Sequence, residues 1–363
     1  MRRAVGKALF WGGAGSAFWV LAGYPLALLL AKPRSWATGT RHPGVSIVVP
    51  AYCELEELPP KLEALAGLRY PPDQVEVIVV VGGNEALADA AEAACPRATV
   101  IREAERSGKA AALNLGIARA KGEVVLLTDA NNLISTDALG ALVRHFADEE
   151  VWAVVGRRAE AGSLYDRYED LIRRLETRSG SVAAGSGELL AVRRARLEPL
   201  PPGVINDDLW IVTDFVGRGG RVVYEPGAVS TEPALPGAAE LERRTRISAG
   251  RALLLRQILG LPSGFRWRMA SHKLGRLLLP FSLLAMLAGP LGLLGDRRWR
   301  LVLLVQSALC GLAAAAVLDR DGVAGRSAAG RAARQFAVGN AASAQGVVRA
   351  ARGAQDARWE AVR

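Results

Sequence analysis

Three apolar runs constrain this chain more than any other feature. Residues 45–49 (VSIVV) end at Pro50, residues 75–81 (VEVIVVV) end at Gly82-Gly83, and residues 123–128 (EVVLLT) end at Asp129. Runs this rich in β-branched and aliphatic residues read as strands covered on both faces, as in parallel sheets. Helix-like stretches separate them at 58–68, 85–94 and 108–120. In the last, Ala111, Leu113, Leu115, Ile117 and Ala118 give a mostly apolar surface. Alternation of strand and helix predicts a doubly wound, Rossmann-like α/β sheet, mostly parallel. Ligands of such sheets bind outside the carboxyl ends of the strands. Residues 50–54, 82–84 and 129–131 are therefore expected on one rim.

The ends of the chain are of a different kind. Residues 8–31 carry no formal charge and are long enough, as a helix, to cross a hydrocarbon core of about 30 Å. Arg2, Arg3 and Lys7 precede this run, as in a secretory signal. The run exceeds an ordinary signal core and no small-x-small cleavage site follows it, so a retained anchor is expected. Residues 277–295 and 301–318 are two further apolar runs, separated by Asp296, Arg297, Arg298, Trp299 and Arg300. They read as a membrane hairpin kinked by Pro280 and Pro290, with a buried soluble hairpin as the alternative. The chain thus divides into an anchor (1–42), a soluble body (43–235), a basic amphipathic segment (236–273), the hairpin (274–320) and a basic tail (321–363). The basic segment places Arg243, Arg244, Arg246, Arg251 and Arg256 among Ile247 and Leu253 to Leu255, the pattern of a helix lying on a membrane surface. Residues 320–363 hold eight Arg against Asp321, Asp356 and Glu360, which suits an interfacial helix or a solvated tail. With the body on the cytoplasmic side, the Arg-rich 296–300 turn lies outside, against the positive-inside tendency.

Lys plus Arg number 46 and Asp plus Glu 36, a net charge of +10 with His neutral. That surplus points to phosphate-bearing partners. Because the arginines lie beside membrane segments, anionic lipid headgroups are expected and nucleic acid is not. The three cysteines, Cys53, Cys95 and Cys310, form no CxxC, which excludes a disulfide scaffold and a structural zinc site.

Three short strings can carry chemistry. Ser107-Gly108-Lys109 is not a phosphate-binding P-loop, since Glu103 and Ala110 occupy the places that need Gly and Ser or Thr. Lys109 at a helix start still suits a diphosphate, or is a solvated surface lysine. Asp129-Ala130-Asn131 follows a buried strand. It suits an oxygen-seeking cation such as Mg²⁺ or Mn²⁺, or is an Asx turn capping the next helix. Asn206-Asp207-Asp208 offers a carboxylate able to take a hydroxyl proton, or caps the helix that begins near Leu209. One or two arginines of the basic segment can hold a diphosphate leaving group; the rest are interfacial cations.

Together these strings resemble the membrane-bound family 2 glycosyltransferases of GT-A fold, in the cellulose synthase-like and hyaluronan synthase-like group. The matching stretches are VSIVVPAYCELEEL (45–58), VEVIVVVGGN (75–84), RSGKAAALNLGIARAKGEVVLLTDAN (106–131), GSGELLAVRRA (185–195), INDDLWIVTDFVGRGGRVVYEP (205–226) and ELERRTRISAG (240–250), in the family's order. The resemblance implies metal-dependent, inverting transfer of a hexose from a nucleotide sugar, with a UDP-sugar favoured, to a membrane lipid or glycan. By the same resemblance Ala51, Tyr52 and Glu54 hold the nucleotide base. Asp129 is the first Asp of the metal- and diphosphate-binding Asp-x-Asp motif, with Asn131 in place of the second. Asp208 is the general base, with Asp207 in the Glu place before it. Gly185, Ser186, Gly187 and Glu188 form the loop beside the acceptor. Arg243 and Arg246 stand where the group has Gln-x-x-Arg-Trp, which is absent here, so polymer-forming processivity is not implied. Gly82 replaces an Asp that often contacts the base, and Cys53 replaces the usual Asn. Nucleotide sugars are cytosolic, so a multi-pass inner-membrane protein with a cytoplasmic catalytic body is expected. A tethered non-catalytic scaffold with a degenerate transferase body is the competing class. A sugar nucleotidyltransferase would need a Gly-rich loop where this chain reads PAYCELEE.

Overall fold

The computed structural model describes residues 1–159, 164–233, 237–319 and 326–354, without the side chains of 164 and 255–257. The Arg256 side chain and Arg320, Asp321, Asp356 and Glu360 therefore lie outside what is described. A single 29-residue helix opens the chain: α1 (Arg2–Phe18), a π-helical turn (Trp19–Gly23) and α2 (Tyr24–Leu30). Then come β1 (Val45–Ala51), α3 (Leu58–Ala66), β2 (Val75–Gly82), α4 (Glu85–Ala94), β3 (Thr99–Glu103), α5 (Lys109–Arg119), β4 (Val124–Leu127), β5 (Leu133–Ile134) and α6 (Ala138–Val143). The second half of the body holds β6 (Val151–Ala159), α7 (Leu164–Ser179), β7 (Leu190–Arg193), α8 (Asp207–Gly217) and β8 (Arg221–Thr231). It is followed by α9 (Gly237–Leu254), α10 (Ser263–Arg268), α11 (Gly275–Ala288), α12 (Arg297–Leu318) and α13 (Ala328–Ala351).

The eight strands form one sheet in the order β3-β2-β1-β4-β7-β6-β8-β5. β3, β2, β1 and β4 run parallel, as do β6 and β8; β7 is antiparallel to both neighbours. Alternate side chains serve opposite layers. Val45, Ile47 and Val49 pack with α3, α4 and α6, while Val48, Ile78 and Val80 pack with α5 and α8. Both faces are covered, which is why β1, β2 and β4 lack a polar face. The result is a mixed α/β body with a mostly parallel sheet, and helices at both ends of the chain.

Among the described residues three segments are long and apolar enough to cross a membrane: Arg2–Leu30, Ser263–Leu293 and Arg297–Leu318. α12 leaves Leu301, Leu304 and Leu309 more than 60% exposed, an apolar surface that no described residue covers. The first two segments are tied to the body through one fully buried carboxylate. Tyr24 Oη donates to Glu176 Oε1 (2.5 Å), and His272 Nδ1 lies 2.8 Å from the same oxygen. Ala183 N donates to Glu176 Oε2 (2.9 Å), so α2, α7 and the second apolar segment share this group.

α9, in the basic segment, has a protein partner on one side. It packs against α13 through Thr245, Ser248 and Ala249, where a Cβ on Gly346 would sit 2.5 Å from Ser248 Cβ. No other residue permits that approach. The part of the basic tail that is described is thus a helix docked on the basic segment.

Candidate active site

The carboxyl ends of β1, β2 and β4 open into one cavity of about 330 Å³. Ala51, Tyr52, Glu54, Lys109, Asp129, Asn131, Gly185, Ser186, Gly187, Glu188, Asp207, Asp208, Arg243 and Arg246 all line it. These residues are up to 195 positions apart in sequence, and the strand ends, the starts of α5 and α8, and α9 deliver them.

Lys109 is the first residue of α5, and its ammonium is the electrostatic centre. Nζ lies 2.8 Å from Asp129 Oδ1 and 3.2 Å from Asp207 Oδ2. Burial works against its charge, but Asp129, Asp207 and Asp208 outweigh burial and hold it well above the usual lysine range. Asp207 is buried, and burial raises its carboxyl against the pull of Lys109, with Asp208 and Asp129 adding to the rise. Asp208 is half-buried and faces the cavity. Both acids sit in the first turn of α8, where the helix dipole favours negative charge. The helix-start reading and the cavity reading of this pair therefore hold together. Asn206 does not cap the helix; its Nδ2 donates to Ile247 O (2.9 Å) and ties α8 to α9.

The 185–188 loop runs against these groups. A Cβ on Gly187 would lie 3.2 Å from Lys109 Nζ, and one on Gly185 would lie 3.0 Å from Asp208 Cβ. Glycine lets the loop backbone approach the charges closely. Glu188, next in the loop, is held by Arg158 Nε (3.1 Å) and Ser230 Oγ (3.1 Å). Burial pushes its carboxyl up to about 7, with Arg158 opposing and Glu232 and Asp129 reinforcing.

After Asp129 the chain turns at 130–131 and enters β5, so the Asx-turn alternative, a cap on a following helix, does not apply. Asn131 Nδ2 donates to Glu232 Oε1 (2.8 Å). Glu232 in turn pairs with Arg158 (2.7 Å) and Arg243 (3.3 Å). Beneath the turn lies Lys61, fully buried, with Nζ donating to Thr128 Oγ1 (2.8 Å) and Asn132 Oδ1 (2.6 Å). Burial pushes this amine down to about 7, with Asp129 and Glu188 opposing.

At the other end of the cavity the Arg106 guanidinium stacks 3.9 Å from the Tyr52 ring centroid. Glu54 Oε2 accepts from the backbone N–H of Tyr52 (2.8 Å) and Cys53 (3.0 Å), so this carboxylate holds the turn that presents Tyr52. A Cβ on Gly82 would sit 3.4 Å from Glu103 Oε2. A carboxylate thus stands beside the place where an Asp was missing, supplied by β3.

The sequence reading did not single out Lys61, Glu103, Arg106, Arg158, Arg173 or Glu232. Lys61 carried a signal: it shares one helix face with Leu58, Leu62 and Leu65, a charge on an otherwise apolar stripe. Glu232 had only its place after a long apolar strand.

Residues 46–195 match the family described as Glycosyl transferase family 2. Residues 46–195 are therefore a family 2 glycosyltransferase domain. The chain also superposes on a solved mannosyltransferase from Pyrobaculum calidifontis, in complex with GDP-Man and Mn²⁺. The TM-score is 0.77 at 25% identity, covering 97% of this chain and 99% of that one. This likeness makes the transferase domain GT-A in fold and extends to the flanking helices. Among curated relatives, it is 30% identical over 152 residues to a beta-monoglucosyldiacylglycerol synthase of Nostoc sp., covering 40% of this chain and 32% of that protein. It is 24% identical over 209 residues to a poly-beta-1,6-N-acetyl-D-glucosamine synthase of Staphylococcus aureus, covering 51% and 49%. The matched stretches span 60% or less of the curated relatives' own lengths.

Proposed function

We propose that this protein is a membrane-anchored, inverting glycosyltransferase that moves a sugar from a nucleotide sugar to a lipid or glycan acceptor. One observation carries the reading: Asp129 and the Asp207-Asp208 pair flank one cavity, with Lys109 between them. In this reading the donor's diphosphate lies beside Lys109, Arg243 and Arg246. The base lies near Tyr52, Arg106 and Glu103, with Glu103 taking the place of the Asp absent at Gly82. Asp208 is the base because it is half-buried and faces the cavity, whereas Asp207 is buried and paired with Lys109. The acceptor oxygen attacks the anomeric carbon from the face opposite the diphosphate. The new C–O bond forms as the bond to the phosphate oxygen breaks. The nucleoside diphosphate departs with the electron pair, and the hydroxyl proton goes to Asp208. General-base help of this kind contributes about 10²–10⁴-fold.

The donor set suits a divalent cation that the substrate completes. Asp129 offers a carboxylate and Asn131 its Oδ1, the amide nitrogen being used on Glu232. Among the described residues no cluster of three or more His, Cys, Asp or Glu is arranged to hold a metal unaided. Mg²⁺ or Mn²⁺ bound by Asp129 and Asn131 would neutralise charge on the leaving diphosphate. Arg158 and Arg243 fix Glu232, which orients Asn131, while Lys61 fixes Thr128 and Asn132 on either side of the motif.

Three segments fit to cross a membrane, together with cytosolic donors, favour a multi-pass protein with the transferase domain facing the cytoplasm. Titration calorimetry with UDP and with GDP, each with Mn²⁺, tests the donor half of the reading. One nucleotide should bind, and binding of neither would support the scaffold class instead.

A further inference from the structure

A second cavity of about 200 Å³ adjoins the first and shares Arg158, Arg173, Arg243 and Arg251 with it. Its far wall comes from the second apolar segment, through Lys273 and Arg276, and from α13, through Gly339 and Ser343. Among the described residues its lining holds eight Lys or Arg against three carboxylates. All three carboxylates are already engaged within the protein. Glu169 pairs with Arg276, and Asp170 takes hydrogen bonds from Arg174 (2.7 Å) and Tyr224 Oη (2.6 Å).

Lys273 is the informative group. It is 5% exposed, lines this cavity, and forms no hydrogen bond or ion pair among the described residues. Arg251 lines both cavities and forms none either. Glu176 and Asp208 act on the Lys273 ammonium only without direct contact, and Arg251 and Arg173 oppose them, so an anion beside it would offset the cost of burying its charge. Lys273 lies in a π-helical turn, Met269–Leu274, within a segment apolar enough to cross a membrane. Such turns are frequent at functional sites, and ionisable groups at membrane depth are retained for a task. Beyond Arg276 the same helix exposes Leu278, Phe281 and Leu284. A ligand with an anionic head and an apolar tail matches both surfaces.

We propose that the second cavity binds the phosphate of an anionic lipid, and that this lipid is the acceptor. The inference rests on the transferase reading above and narrows its acceptor to a phosphate-bearing amphiphile. With the phosphate among Lys273, Arg251, Arg173 and Arg157, the headgroup stands at the wall that Arg251 and Arg173 share with the cavity lined by Asp208, and a hydroxyl of that headgroup is the nucleophile. That hydroxyl's oxygen forms the bond to the anomeric carbon, its proton passes to Asp208, and the nucleoside diphosphate leaves.

The test is native mass spectrometry of the full chain in a maltoside detergent. It is incubated separately with phosphatidylglycerol, with diacylglycerol of the same chains, and with inorganic phosphate. Phosphatidylglycerol should be retained about tenfold or more over diacylglycerol, as charge-assisted contacts allow. Lys273→Met should remove that preference and Lys273→Arg should keep it, with UDP and GDP affinities unchanged in both. Arg157→Gln, which touches only the second cavity, should weaken retention independently if Lys273→Met does not fold. Equal retention of the two lipids, or retention indifferent to both variants, overturns the proposal. Displacement of the lipid by an equal concentration of inorganic phosphate overturns it too, marking a site for free phosphate. Unselective lipid binding with intact nucleotide binding sinks this inference and leaves the transferase standing. Selective lipid binding without nucleotide affinity does the reverse.

Discussion

The two cavities meet along a wall of four shared arginines yet are built on opposite electrostatic terms. Seven carboxylates and seven Lys or Arg line the first; three carboxylates and eight Lys or Arg line the second. In the first, charges are answered within the protein: Lys109 by Asp129 and Asp207, Arg158 by Glu188 and Glu232. A diphosphate entering there adds negative charge to a balanced site, which is why a divalent cation suits it. In the second, Arg276, Arg243 and Arg244 pair with Glu169, Glu232 and Glu240, but Lys273 and Arg251 form no ion pair among the described residues, and the proposed anionic lipid would answer these two. Metal dependence should therefore belong to the donor side and salt dependence to the acceptor side.

Asp208→Asn should break the comparison most severely. Turnover should fall by about 10²-fold or more, the span of general-base catalysis, while nucleotide affinity stays nearly intact. Normal turnover by this variant would remove Asp208 from the chemistry. Asp129→Ala should come next, lowering nucleotide affinity in Mn²⁺ by about tenfold, read by calorimetry. An affinity that is the same with and without Mn²⁺ in the parent would mean Lys109 alone answers the diphosphate. Raising salt from about 0.05 to about 0.5 M should raise the acceptor KM several-fold and the donor KM less, because screening acts most on the cavity with the excess of cations. Equal shifts would show that the two cavities do not differ in the way described.

The smallest effects are in the pH dependence of stability. Glu188 titrates near 7 in the fold, above the ordinary carboxylate range. Its contribution is present at low pH and is lost as pH rises toward 7. Lys61 also titrates near 7, below the ordinary amine range. Its unfavourable burial is greatest below pH 7 and is relieved as pH rises further. Melting temperature should therefore dip near neutrality. Glu188→Gln should flatten the acidic limb and Lys61→Met the alkaline limb; a monotonic curve in the parent would contradict both assignments.

The halves of the transferase domain also differ in how far they could be read in advance. β1, β2 and β4 stand out as apolar runs because helices cover both their faces, and α4 falls at residues 85–94 as its pattern implies. β3 has an exposed, mixed pattern at the sheet edge, and β5 is two residues long, so neither leaves a run to notice. β7 is short and flanked by arginines, and its antiparallel course depends on partners distant in the chain. The site followed the same rule. Residues at strand ends or in dense motifs, such as Asp129 and Asp208, were legible. Lys61, Glu103 and Glu232 act through neighbours that only the fold supplies. Arg243 and Arg246 of α9 were legible from the sequence, but Thr245, Ser248 and Ala249, the small residues of that helix against which α13 packs, left no signal.

The central claim is that the cavity between Asp129 and Asp208 transfers sugar to a membrane acceptor. The direct test incubates membranes holding the full chain with radiolabelled UDP- and GDP-sugars and then extracts lipid and polymer fractions. The account predicts that label from one donor enters the lipid fraction and that Asp208→Asn abolishes it. Label entering no fraction from any donor, or appearing equally with the Asp208→Asn variant, would contradict the account.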